Sequence, residues 1–181
     1  MKVNYKISVA IFFFILNVYN ILFSKVYASE NLKFKGVLVE APCSLRVGDD
    51  NVILNFGSVV NKYLYENKRT KGEIFTIHLD DCDIKSVKGV NVTFLGNESS
   101  TVPGALSLDS TSTALGIVVG IETLNGNIIP VNTKSPITPI TQTDTSLSYI
   151  GFLQAEPYAL ANNSIVEGAF TSSATFLLDY Q

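Results

Sequence analysis

The stretch Phe170-Thr171-Ser172-Ser173-Ala174-Thr175-Phe176-Leu177-Leu178-Asp179-Tyr180-Gln181 closes the sequence. Every second residue from Phe170 (Phe170, Ser172, Ala174, Phe176, Leu178, Tyr180) is small or apolar. Side chains of a strand alternate between its two faces, so this row predicts a β-strand with one face on a core. No further strand follows it to cover its second edge. An apolar strand with a bare edge is an aggregation hazard that proteins normally blunt, and here it has not been blunted. The expectation is that another molecule supplies the missing strand.

Working outward, nearly every other segment reads the same way. Phe75, Ile77 and Leu79 alternate with Thr76, His78 and Asp80; Val90, Val92 and Phe94 form a similar row. Strand-like runs also appear at Val52 to Gly57, at Leu106 and Leu108, at Leu115 to Val119, at Ile128 and Ile129, and from Ser148 to Ala155. Gly48-Asp49-Asp50, Pro103-Gly104 and Asn125-Gly126 supply turns, the last a strong short-hairpin signal. No window of helical length carries a 3.6-residue apolar stripe, although PYALANN at 157–163 suits a single helical turn. Many short strands between turns predict an antiparallel β-sandwich of the immunoglobulin-like class, without the buried Trp of antibody domains, since the chain has no Trp. The Thr-, Pro- and Ser-rich stretch from Asn132 to Thr145 reads as a loop within that domain.

The first 28 residues describe an address. Lys2 and Lys6 precede an apolar run from Ile7 to Phe23, and Val26-Tyr27-Ala28 suits a signal peptidase, which predicts export and cleavage before Ser29. All 16 acidic residues but only ten of the 13 basic ones lie beyond that point, giving the exported part a net charge of −6. Such a balance argues against nucleic acid and anionic membrane surfaces as partners. The two cysteines, Cys43 and Cys82, both lie in the exported part. In an oxidising compartment one disulfide is the simplest reading, and no nearby Cys or His makes them a metal site.

Catalytic chemistry has little to build on. The single histidine, His78, falls on the face opposite Ile77 and Leu79, which predicts exposure to solvent, and there is no second His or free thiol for a triad. Asp80, Asp81 and Asp83 lack the Gly and distal Glu of a calcium loop and read as a solvated strand end. No cofactor is implied. An alternative of another class is a self-contained secreted β-sandwich that binds glycans, with Tyr63, Tyr65 and Tyr158 as candidate pocket aromatics.

The start of the exported chain, Ser29-Glu30-Asn31-Leu32-Lys33-Phe34-Lys35-Gly36, is another apolar alternation ahead of any obvious partner. With it, an ordered set of motifs comes into view: Gly36-Val37-Leu38-Val39-Glu40-Ala41-Pro42-Cys43, Val52-Ile53-Leu54-Asn55-Phe56-Gly57, Phe75-Thr76-Ile77-His78-Leu79-Asp80-Asp81-Cys82, Thr93-Phe94-Leu95-Gly96, Pro103-Gly104-Ala105-Leu106, Leu115-Gly116-Ile117, and Gly168 to Tyr180 with its penultimate Tyr. The set resembles the pilin subunits of chaperone–usher fimbriae over essentially the whole exported chain. That resemblance implies an incomplete immunoglobulin-like domain (42–181) lacking its final strand, preceded by a donor-strand extension (29–41) and the signal peptide (1–28). It implies a periplasmic chaperone, an outer-membrane usher and neighbouring pilin subunits as partners, and the cell surface as destination. The donor residues would be Leu32, Phe34, Gly36 and Leu38. The receiving edge would comprise Phe170, Ala174, Phe176, Leu178 and Tyr180, with the Gln181 carboxylate as the chaperone's anchor. Only 14 residues, Ser29 to Pro42, precede Cys43 in the exported chain, and this short start is most similar to the minor tip and adaptor subunits of P-type pili.

Overall fold

The computed structural model describes residues 40–181, so the expected signal peptide (1–28) and the expected donor positions Leu32, Phe34, Gly36 and Leu38 lie outside the described residues. The elements run β1 (Ser44–Leu45), α1 (Asn61–Asn67), β2 (Glu73–Asp80), β3 (Gly89–Gly96), β4 (Ile117–Thr123), β5 (Thr138–Pro139), β6 (Thr145–Ala155), α2 (Pro157–Asn162) and β7 (Ala174–Tyr180). They form two open antiparallel sheets, one of order β1-β2-β6-β4 and one of order β5-β3-β7.

The period-2 pattern sets which face each strand turns inward. In β2, Ile77 and Leu79 are fully buried and pair across to Leu147 and Thr145 of β6. Val90, Val92 and Phe94 of β3 face them from the second sheet, within one apolar cluster. Burying each such side chain contributes about 1.5–3 kcal/mol. At one end of this core Phe75, Phe94 and Tyr149 meet edge-on or tilted, with ring centroids 5.2 to 5.9 Å apart. Cys43 and Cys82 form a disulfide that fixes the start of β1 to the end of β2, and flanking main-chain bonds, Cys82 N–H to Thr143 and Asp83 N–H to Pro42, hold the corner.

Four expectations change. Val52 to Gly57 is not a strand, because no described residue offers it a main-chain partner. The runs at 106–108 and 128–129 shrink to isolated bridges, Leu106 to Val119 and Ile128 to Glu122; the latter still closes the hairpin at Asn125-Gly126, where Thr123 N–H bonds Asn127. Helix α1 has no counterpart in the sequence reading, since Leu64 is its one buried residue and a single anchor leaves no stripe to detect. Finally, regular strand structure in the closing stretch starts at Ala174, while Thr171 and Ala169 bond instead to Asp109, Thr113 and Ala114. The short helix at 157–163 forms as expected, with Pro157 at its first turn.

Candidate functional site: an open groove beside β7

Strand β7 lies at the edge of its sheet, paired with β3 on one side and with no described strand on the other. Gln181 and Gly89 exchange both main-chain bonds, at 2.9 and 3.2 Å. In an antiparallel ladder such pairs alternate with pairs whose N–H and C=O groups point away from each other. Following the register, Asp179, Leu177 and Thr175 bond Asn91, Thr93 and Leu95, whereas Tyr180, Leu178, Phe176 and Ala174 turn their main-chain groups to the open side. The opposite strand confirms the phase, since Val92 and Phe94 direct their carbonyls away from β7 to Ser135 and Asn132.

Three of these four residues also turn their side chains onto the core, while Ala174 is exposed and borders both cavities of the groove. Phe176, Leu178 and Tyr180 are half-buried against the core, as is Phe170. Their apolar faces and unpaired main-chain groups therefore present together along one edge. Buried main-chain groups need partners, which makes this edge a template for a further strand. Gln181 is pinned on the β3 side: its carbonyl accepts Lys88 N–H at 2.6 Å and its side-chain amide donates to Asn91 at 2.8 Å.

The open side is a groove. One cavity of about 460 Å³ has Phe75, Phe94, Leu106, Val119 and Ile121 as its floor. A second of about 470 Å³ continues past Phe170 to Ala174. The segment Asn51–Leu54 forms the wall facing β7 in both. That wall is fixed at its beginning by two side-chain pairs. Arg46 clamps Asp80 with two bonds of 2.9 and 2.7 Å. Asp49 accepts the main-chain N–H of His78 at 2.6 Å and meets its ring Nδ1 at 2.8 Å. These bonds, the main-chain one foremost, hold the Asp49 carboxyl below its usual range. His78 is therefore on the outer face, as its position predicts, but half-buried against Asp49 instead of free in solvent.

The candidate glycan aromatics do not converge on the groove. Tyr65 accepts the Ile165 N–H at 2.9 Å and so ties α1 to the segment before β7, while Tyr63 and Tyr158 are exposed on the two helices. The walls of the two groove cavities contain no tyrosine.

The fimbrial protein family matches residues 32–181 of this sequence. The chain is a fimbrial protein. It is 29% identical to the major MR/P fimbria protein of Proteus mirabilis (strain HI4320) over 151 residues, 83% of each chain. It is 28% identical to the fimbrial adapter PapK of Escherichia coli over 159 residues, covering 84% of this chain and 89% of the adapter. The crystal structure of the P pilus rod subunit PapA shares the fold, with a TM-score of 0.68 at 20% identity, covering 78% of this chain and all of that one. This fimbrial subunit is thus an incomplete immunoglobulin-like domain of the chaperone–usher pilin type, and a structural subunit of a fibre at the cell surface. Among the described residues no helix is long and apolar enough to cross a membrane.

Proposed function

We propose that the groove beside β7 receives a β-strand from another molecule, first a periplasmic chaperone and then the N-terminal extension of a neighbouring subunit placed at the usher. The observation that carries this reading is the coincidence on β7 of half-buried apolar side chains with main-chain groups turned to an edge that no described strand occupies. In strand addition, main-chain bonds give affinity and pockets for alternate side chains give specificity. Here the receiving residues are Phe170, Ala174, Phe176, Leu178 and Tyr180, beside a cavity floor of aromatic and aliphatic side chains. In turn this chain donates residues 29–41, with Leu32, Phe34 and Leu38 as anchors and Gly36 where the groove leaves no room for a side chain.

The subunit acts as a minor tip or adaptor component, and so contributes to adhesion by joining other subunits. The short extension, Ser29 to Pro42, supports this. Quantitative mass spectrometry of purified fibres should find it at a small fraction of the most abundant subunit; a fibre built mainly of this chain would refute the assignment. A charge at Phe34 or Gly36 should abolish incorporation into fibres while chaperone binding persists, as pull-down and fibre blotting would show. Loss of both would mean that the extension has another role.

A further inference from the structure

We propose that the segment Asp50–Phe56 is a hinged strap that partly occupies the groove and must lift before a strand can enter. This inference rests on reading the groove as a strand acceptor. Among the described residues, 50–59 make no main-chain hydrogen bond to another main-chain group, so side chains alone hold the segment in place. Its side chains nevertheless alternate: Leu54 and Phe56 turn inward, while Asn55 between them and Ile53 before them are exposed, Ile53 at 80%. Glycines in the left-handed region bracket it, Gly48 at φ 97 and Gly57 at φ 61, and a Cβ at either would meet nothing within 4 Å. Space at both glycines leaves the joints free to turn. Before the strap, the Asp49–His78 and Arg46–Asp80 pairs hold the chain to β2.

Two side chains seat the strap. Gly151 of β6 faces the groove, and a Cβ there would stand 2.3 Å from Leu54 Cδ2. Leu54 therefore fills the space that a side chain at 151 would occupy. It borders both groove cavities, standing between the apolar floor and the stretch beside Phe170. Phe56 reaches across to Phe170, with ring centroids 6.2 Å apart. An incoming strand must lie along β7 through both cavities, and Leu54 projects into that path. The strap thus covers part of the apolar groove while it is empty and opposes entry until displaced. Once a strand is in place, the unpaired main chain of the strap becomes available as its second neighbour.

The test uses the refolded chain 29–181, a fluorescein-labelled peptide copying residues 29–41 as probe, and stopped-flow anisotropy. Leu54→Ala, which removes the projecting side chain, should raise the peptide's association rate about tenfold. Gly151→Ala, which drives Leu54 out of its seat from below, should act in the same direction and serves if the first variant does not fold. Leu124→Ser, on the distant hairpin and 55% exposed, should match the unmodified chain. If the unmodified chain binds peptide and neither variant associates faster, the strap is overturned and the acceptor groove stands. If no form of the chain binds peptide, the acceptor reading itself is overturned and the strap falls with it.

Discussion

At the scale of single residues, the corner formed by Arg46, Asp49, His78 and Asp80 has measurable consequences. The Asp49 carboxyl is held below its ordinary value of 3.8, mainly by the main-chain N–H of His78 and then by its ring. A carboxyl with a depressed folded value stabilises fully above its unfolded value and loses that contribution as the pH falls through the folded one. The stabilisation from Asp49 is therefore present at neutral pH and fades only below 3.8. Asp49→Asn should lower the urea midpoint at neutral pH and flatten the acid limb of the stability profile, as unfolding titrations between about pH 6 and pH 2 would show. An unchanged acid limb would mean that other carboxyls govern it. The Cys43–Cys82 bridge, with a sequence separation of 39, is a second residue-scale determinant. Chain entropy assigns such a loop a contribution of about 4 kcal/mol before strain. Replacing both cysteines by serine should lower the unfolding free energy of the peptide-filled protein by up to that amount.

At the scale of elements, β7 presents two chemically different faces. Leu178 is half-buried on the inner face, packed against the core, whereas Leu177 is 51% exposed on the outer face. Leu178→Glu would place a charge against the incoming strand and should weaken donor-peptide binding at least tenfold, about 1.4 kcal/mol or more. Leu177→Glu should leave binding unchanged and shift stability by no more than about 0.5 kcal/mol. Equal effects would contradict the register given for β7. The same two-residue period is why the inward faces of β2, β3 and β7 were legible in the sequence: Ile77, Val92 and Phe176 fall where alternation puts them. Periodicity could not see pairing. Val52 to Gly57 has the composition of a strand but lacks a described partner, so pattern misread it, and α1 rests on Leu64 alone, so pattern missed it. The Asp49–His78 contact was equally hidden, because it joins residues 29 apart through a loop whose course the sequence does not encode locally.

At the scale of the molecule, among the described residues, the two open sheets enclose one apolar core that a groove enters beside β7. Phe170, Phe176, Leu178 and Tyr180 stay half-buried along that edge, and the apolar surface they leave in water is a standing cost, at roughly 25 cal/mol per Å². The mature chain alone should therefore be marginally stable and prone to aggregate, and a donor peptide should raise its midpoint temperature in a concentration-dependent way. A chaperone-free monomer with a high, peptide-independent midpoint would instead favour a closed, self-sufficient sandwich, the architecture that the glycan-binding alternative requires. Amide hydrogen exchange along β7 tests the acceptor edge most directly. With the groove empty, the amides of Thr175, Leu177 and Asp179, bonded to β3, should be protected, and those of Phe176, Leu178 and Tyr180 should exchange fast; adding the peptide of residues 29–41 should slow the second set. Protection of all six amides without peptide, or a second set indifferent to it, would contradict an acceptor edge at β7.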